Sequence, residues 1–217
     1  MGTKERRERE RAATHQLILD AAREIFVNEG DDGLTMRRLA EAIEYSPTAI
    51  YNHFEDKDSI LTELSICDFA AFTAQFDLVP KDAPPLDRLR MLGHAYVMFA
   101  QEHPAQYRHL FCTTRTLSPE ALAQKPQEDA YEMLLATVKE AIASGAYDAS
   151  HDPDVTAQLL WSALHGIITL HMFLPKGGGV DLKPLELLVE EAMDRLQAGF
   201  AQPRIVEAPA KRAKGKR

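Results

Sequence analysis

Hydrophobic residues recur along most of the chain with the spacing of α-helices. Ile18, Ala22 and Phe26 fall on one helical face, and Ala21 and Ile25 lie beside them. This spacing is typical of an amphipathic helix that packs against a core. No segment alternates apolar and polar residues as a strand does, so the pattern predicts an all-α protein. Further helices are predicted at about residues 35–43, 46–54, 57–69, 86–102, 127–144, 153–174 and 182–200, with short ones after Pro104 and Ser118-Pro119.

Residues that favour helix starts precede three of the predicted helices. Thr35, Ser46 and Asp56 stand at these positions, and a proline follows the serine. Such side chains accept hydrogen bonds from the free N–H groups of a first helical turn, and proline fits that turn. A tight turn near Glu44 and Tyr45 separates the first two of these helices. Two short helices joined in this way predict a helix-turn-helix.

The second helix of this motif begins with small and polar residues. A helix that reads DNA needs such residues at its start, because they approach the edges of the bases. Ile50 and Phe54 are spaced i, i+4 and predict anchors to the core, which leaves Tyr51 facing outward. Lys57, at the start of the next helix, is expected to hold a phosphate. The predicted DNA contacts are Thr35, Arg37, Ser46, Thr48, Ala49, Tyr51, Asn52, His53 and Lys57.

The stretch LTMRRLAEAIEYSPTAIYNHFEDKDSIL, at residues 34–61, resembles the TetR family of bacterial regulators. Tyr51, His53, Phe54 and Lys57 match the end of that family's motif. The resemblance covers about residues 14–62.

Two positions in the turn depart from the family pattern. Glu44 stands where the family commonly has glycine, and Tyr45 replaces a smaller apolar residue. A left-handed backbone at Glu44 would cost roughly 1 kcal/mol, because a side chain is disfavoured there.

The resemblance implies a dimeric DNA-binding transcriptional regulator and no enzymatic activity or cofactor. It implies an N-terminal three-helix helix-turn-helix domain at 14–62, joined to a larger helical ligand-binding and dimerisation domain at 63–202. The charge of the two ends predicts a basic flexible arm at residues 1–13 and a basic disordered tail at residues 203–217. The expected function is repression of a palindromic operator, with release by a small, mostly apolar ligand.

A second resemblance lies in the C-terminal half. The run WSALHG, which contains Trp161, His165 and Gly166, is similar to a subgroup with a Trp-His-Gly signature. It implies that the helices at 153–174 and 182–200 form a four-helix bundle with a second subunit. Aromatic residues at helical spacing are more often core than pocket, yet a sensor needs a cavity. The candidate ligand-binding residues are Phe72, Tyr96, Phe99, Phe111, Tyr131, Trp161 and His165.

Charge is distributed unevenly along the chain, whose formal net charge is −8. Residues 1–11 carry five cations against three glutamates, and the tail from residue 203 carries six cations against one glutamate. Residues 63–202 carry ten cations against nineteen carboxylates. An acidic body must face away from DNA. The basic ends are either solvated termini or tethers for phosphate.

Other classes of protein fit the sequence less well. No apolar run reaches the ~20 residues of a membrane span. The charged N-terminus lacks a signal peptide's apolar region, and Cys67 and Cys112 form no disulfide framework, so a cytoplasmic protein is expected. No Gly-rich phosphate loop, nucleophile elbow or paired-carboxylate motif points to an enzyme. The alternative of a metal-responsive regulator stays open because six histidines follow residue 90, although none of them forms a tight metal motif. An activator, or a regulator of this fold without a ligand, also stays open.

Overall fold

The computed structural model describes residues 3–112, 126–174 and 179–203, and the regular secondary structure of these residues is entirely helical. The predicted all-α class is therefore confirmed. Among the described helices, none is long and apolar enough to cross a membrane. The helices are α1 (Thr3–Gly33), α2 (Met36–Ala42), α3 (Pro47–Tyr51), α4 (Lys57–Phe76), α5 (Pro85–Glu102), α6 (Pro104–Phe111), α7 (Pro126–Ala143), α8 (Pro153–Phe173) and α9 (Leu185–Phe200).

The three predicted helix caps are all formed. The Thr35 hydroxyl accepts the N–H of Arg38 at 3.1 Å at the start of α2. The Ser46 hydroxyl accepts the N–H of Ala49 at 3.2 Å at the start of α3. At the start of α4, the Asp56 carboxylate accepts the N–H of Ser59 at 2.7 Å, and the Ser59 hydroxyl accepts the N–H of Asp56 in return. The sequence thus located these three starts correctly.

Helix α3 is shorter than the sequence predicted. It ends at Tyr51 rather than near Phe54. The N–H groups of His53 and Phe54 both bond to the carbonyl of Ile50, at 2.9 and 3.0 Å, which closes the helix as a turn. Asp56, two residues beyond Phe54, must be extended to cap α4, so the chain leaves the helix before it.

The first helix starts earlier than expected. Residues 1–13 were predicted as a flexible arm, but α1 begins at Thr3. Ion pairs at i, i+4 spacing, Lys4 with Glu8 and Arg6 with Glu10, favour helix in this segment. At the other end the helix is interrupted at Gly30, whose φ of 76° is the left-handed backbone that glycine tolerates.

The chain divides into two compact units. The first combines Met1–Lys81 with His94–Met133, and the second combines Asp82–Gly93 with Leu134–Arg217. The predicted domain boundary at residue 62 falls inside α4, which lies wholly in the first unit. Between residues 14 and 64 of the first unit, the fully buried large side chains are Ile18, Leu19, Leu34, Leu39, Ile50, Ile60, Leu61 and Leu64.

In the second unit, α8 packs against α9. Gly93 lies where a Cβ would come within 2.8 Å of the Met193 sulfur and 3.1 Å of Leu164, so a glycine allows this close approach. The helix predicted after Ser118-Pro119, most of the glycine loop near residue 177 and the tail from residue 204 lie outside the described residues.

A buried ionic cluster joins three helices of the first unit. Asp68 of α4 is fully buried and accepts hydrogen bonds from Arg23 of α1, at 2.9 Å to Nε, and from His109 Nδ1 of α6, at 2.8 Å. Gln106 donates a further bond at 3.2 Å. Burial raises the pKa of Asp68, but the bonds from His109 and Arg23 and their charges outweigh it and leave that pKa below its ordinary value. Asp68 is therefore a buried carboxylate held by its partners.

Candidate nucleic-acid interface

The turn between α2 and α3 has the geometry of a helix C-cap with one left-handed residue. Glu44 has a φ of 59°, and within the described chain no other non-glycine residue has a positive φ. The N–H of Tyr45 bonds to the carbonyl of Ala40 at 2.9 Å, and the N–H of Glu44 bonds to that of Glu41 at 3.3 Å. These two bonds define the Schellman motif, which glycine usually occupies at the left-handed position. Glu44 thus adopts the left-handed backbone whose cost the sequence analysis stated as a condition.

Replacing Glu44 with glycine should therefore stabilise the protein. The left-handed penalty for a side chain is roughly 1 kcal/mol, so Glu44→Gly should raise the free energy of unfolding by up to about that amount. Urea denaturation followed by circular dichroism measures the change. Glu44→Ala is the matched control, because it removes the same charge but keeps the strain. Equal stability of the two variants would show that the charge, not the backbone, matters.

The face of α3 that the sequence assigned to DNA is open to solvent. Ser46, Thr48 and Asn52 are exposed, and 56% of the surface of Tyr51 is accessible to solvent. Ala49 is half-buried. Side chains of this size at the start of an exposed helix can reach base edges and phosphates. That they touch DNA stays a prediction.

The same helix is fixed from behind by two buried anchors. Ile50 is completely buried, and Phe54 retains only 4% of its surface. The ring of His15 on α1 stacks on Phe54, with a centroid separation of 4.5 Å. These contacts hold α3 in place without using its exposed side chains.

His53, which was also predicted to contact DNA, is less exposed than Tyr51. The side chain is half-buried, and its ring centroid lies 5.8 Å from that of His15. Its Nδ1 is buried and makes no hydrogen bond with any described residue. Burial, with smaller contributions from the charges of His15 and Arg11, lowers the pKa of His53. The sequence missed this because the neighbouring ring comes from α1, 38 residues away.

The cations predicted to bind phosphate are engaged with carboxylates. Arg37 is exposed and pairs with Glu41 at 2.9 Å, one turn along α2. The Lys57 ammonium lies 2.8 Å from the Asp31 carboxylate and 3.2 Å from its carbonyl oxygen. Thr35, the remaining predicted contact, is exposed, with its hydroxyl occupied as the cap of α2. Both cations would have to exchange a carboxylate for a phosphate on binding DNA.

Comparisons with known proteins identify the family. The model described as "Bacterial regulatory proteins, tetR family" matches residues 18–64, and the one described as "Tetracyclin repressor-like, C-terminal domain" matches residues 89–196. The chain belongs to the TetR family. The first of these models describes regulatory proteins rather than enzymes, as the sequence predicted.

Individual relatives are similar over shorter stretches. The uncharacterized HTH-type transcriptional regulator YobS of Bacillus subtilis is 31% identical over 94 residues, which is 43% of this chain and 49% of YobS. The HTH-type transcriptional repressor Rv1474c of Mycobacterium tuberculosis is 46% identical over 54 residues, or 25% of this chain and 29% of the repressor. The chain thus spans about half or less of the length of these curated relatives.

The fold is shared over almost the whole length of solved structures. A tetR-family regulatory protein from Rhodococcus RHA1 superposes with a TM-score of 0.73 at 22% identity, over 86% of this chain and 96% of that one. At this identity the likeness concerns the fold alone.

Four of the candidate ligand-binding residues of this TetR regulator form one aromatic cluster in the first unit. Phe72 of α4 lies at its centre, with ring centroids 5.7 Å from Tyr96, 5.2 Å from Phe99 and 5.2 Å from Phe111. The Tyr96 hydroxyl lies 3.2 Å from that of Tyr107, which the candidate set omitted. The edge-to-face packing is typical of a well-ordered core. The cluster therefore offers apolar surface together with two buried hydroxyls.

The other three candidates lie elsewhere in the chain. Tyr131 is half-buried on α7. Trp161 and His165 lie on successive turns of α8 in the second unit, and their ring centroids are 6.4 Å apart. Burial lowers the pKa of His165 below its ordinary value, which favours a neutral imidazole at this position. Within the described residues, no group of three or more histidine, cysteine or acidic side chains is arranged to hold a metal ion.

Proposed function

We propose that this TetR regulator is a homodimeric repressor of a palindromic operator, released by a small, mostly apolar effector. The observation that carries the proposal is the start of α3, where Ser46 and Thr48 are exposed while the anchor Ile50 is buried. A rigid helix with small polar residues outward is what reading of the major groove requires. The repressor assignment is supported by relatives that bear this name.

Dimerisation is supported by the outer surface of α8. Val155, Leu159, Leu170 and Phe173 are exposed by 45–55% and, with the small Gly166 between them, follow one helical stripe. A Cβ placed at Gly166 would meet no atom within 4 Å, so another helix can approach closely there. We propose that a second copy covers this stripe, because such a pairing is self-complementary about a two-fold axis. Two subunits so related predict DNA sites with inverted half-sites.

The effector is proposed to bind in the aromatic cluster around Phe72. The cluster offers apolar rings and the paired hydroxyls of Tyr96 and Tyr107, which suit an uncharged ligand with one polar group. Phe72 lies on α4, the helix that begins at Lys57, shortly after α3, which is the helix proposed to read the bases (the reading helix). Displacement of α4 by a ligand would thus reach the DNA-binding face. The WSALHG run supports membership in the Trp-His-Gly subgroup.

Two side chains, the exposed Tyr51 and the half-buried Lys57, test the proposed DNA-binding face. Tyr51→Ala should weaken binding to DNA from upstream of the protein's own coding region by roughly 10- to 100-fold, because a hydrogen bond to a charged group is worth about 1.5–3 kcal/mol. Lys57→Ala should weaken binding to every sequence and lower the slope of log affinity against log salt by about one. Fluorescence anisotropy titrations at several salt concentrations measure both effects.

The matched control is Tyr45→Ala, which removes another exposed tyrosine from the turn rather than from α3. Binding with this variant should change little. Unchanged affinity and salt slope in both the Tyr51 and Lys57 variants would contradict the proposed face.

A further inference from the structure

The helix-turn-helix segment carries an unusual charge for a surface that binds DNA. Residues 14–62 contain four cations against ten carboxylates. Every one of the four is already in an ion pair with a carboxylate: Arg23 with Asp68 and Asp20, Arg37 with Glu41, Arg38 with Glu29, and Lys57 with Asp31.

This balance leaves a shortage of positive charge at the proposed interface. Affinity for DNA derives largely from lysine and arginine side chains that replace counterions along the phosphates. Residues 14–62 would instead bring a net negative charge towards DNA. Cations from a part of the chain that lies next to α3 would make up this shortage.

The first turns of α1 supply such cations. Residues 4–11 carry five of them. Lys4 forms an ion pair with Glu8 within the helix, and Arg6 forms one with Glu10. Arg7 and Arg11 are exposed and form no ion pair with any residue that the structure describes. They are four residues apart, so they share one face of the helix.

That face leads directly to the end of the reading helix. His15 follows Arg11 by another four residues, and its ring stacks on Phe54 and lies near His53. After burial and the charge of His15, the positive charge of Arg11 is the remaining cause that lowers the pKa of His53. Arg11 is therefore close enough to the end of α3 for its charge to act there.

We propose that the Arg7–Arg11 face of α1 binds the DNA phosphates that flank the bases read by α3. From Arg11 back to Lys4 the helix rises by ~10 Å, which corresponds to about three base pairs. The segment thus extends the contact beyond the half-site while adding no base readout of its own. This inference rests on the proposed function, because it assigns a further contact to the same partner.

Charge-matched double variants of the full-length protein test the assignment. The double variant Arg7→Gln with Arg11→Gln removes the two cations of the Arg7–Arg11 face. The double variant Arg6→Gln with Arg9→Gln removes two cations from other faces of the helix. Each protein is titrated with a mixed-sequence DNA duplex long enough for two half-sites, at several salt concentrations. The Arg7/Arg11 variant should lower the slope of log affinity against log salt by about two, since each phosphate contact contributes about 0.9. The Arg6/Arg9 variant should lower it by less than one.

The outcomes separate this inference from the proposed function. The first outcome requires that the wild-type protein binds DNA and that the Arg7/Arg11 variant keeps its helix content by circular dichroism. If the salt slope of that variant is then unchanged, the proposed α1 contact is overturned, while the proposed role of α3 is not affected. Equal losses in the two double variants would also overturn it, because net charge rather than the face would then be responsible. Failure of the wild-type protein to bind any duplex would overturn both proposals.

Discussion

Replacing Asp68 with alanine should lower the free energy of unfolding by about 3–5 kcal/mol, the usual cost of removing one partner from a buried ion pair. Asp68 is fully buried, and the Arg23 side chain that it holds is only 10% exposed. Without the carboxylate, the guanidinium would remain buried beside His109 with no buried counter-charge. Urea denaturation followed by circular dichroism measures the loss.

The control for this prediction is the other carboxylate on Arg23. Asp20 lies 2.8 Å from the guanidinium but is 55% exposed. Asp20→Asn removes the same charge from the same arginine at a solvated position, and surface pairs are typically worth ~0–1 kcal/mol. Comparable losses for the Asp68 and Asp20 variants would show that burial does not govern this cluster.

The cluster also predicts how stability depends on pH. The folded pKa of Asp68 lies below its ordinary value. The contribution of the Asp68 charge to the free energy of unfolding is therefore fully present at pH values above the unfolded pKa, about 3.9. This contribution is lost as the pH falls through the folded pKa. The stability advantage of the wild-type protein over Asp68→Asn should shrink at pH values below about 4. An advantage that is constant with pH would mean that the charge on Asp68 contributes nothing.

Replacing Phe99 with alanine should destabilise the protein by about 3–5 kcal/mol, as large-to-small changes of buried aromatic residues do. Phe99 has no exposed surface and packs against Phe72 and His103, with ring centroids 5.2 and 5.3 Å away. Where the fold survives the cavity, operator binding should persist while the response to effector is lost. Chemical denaturation and DNA binding, each with and without effector, separate the two effects.

Met98 provides the comparison on the same helix. It precedes Phe99 but is 48% exposed, so Met98→Ala should change stability by no more than about 0.5 kcal/mol. A Phe99 variant that folds and still responds to effector would place the effector site elsewhere.

The local features of the DNA-binding unit could be predicted from the sequence because short-range chemistry determines them. Thr35, Ser46 and Asp56 cap helices whose starts are visible as polar residues before apolar periodicity. Glu44 adopts the left-handed backbone that its position in the turn demands. The outward direction of Tyr51 follows from the burial of its neighbour Ile50. Each of these depends on residues within a few positions of one another.

Long-range pairings were not visible in the same way. Arg23 and Asp68 are 45 residues apart, and His109 follows Asp68 by 41 more, so no local pattern connects them. One signal was present. Asp68 lies four residues after Leu64 and four before Phe72, which places a carboxylate on the buried face of α4. A charge on an apolar face requires a buried partner, although the sequence does not say which residue provides it.

The start of α1 was missed for a different reason. Residues 4–11 are rich in charge and lack apolar periodicity, which is typical of a solvated arm. Arginine and glutamate are nonetheless good helix formers, and pairs at i, i+4 spacing such as Arg6 with Glu10 stabilise the helix. Composition alone therefore underestimated the length of this helix.

The most direct test of the account is the selection of binding sites from a random pool of DNA duplexes by the full-length protein, with Thr48→Ala in parallel. A dimer that reads DNA with two copies of α3 should enrich an inverted repeat whose half-site centres lie about 34–36 Å apart or at a multiple of that distance. The Thr48 variant should keep the spacing and change the preferred bases within each half-site. Recovery of no common sequence by the wild-type protein, or of single half-sites without a repeat, would contradict the account.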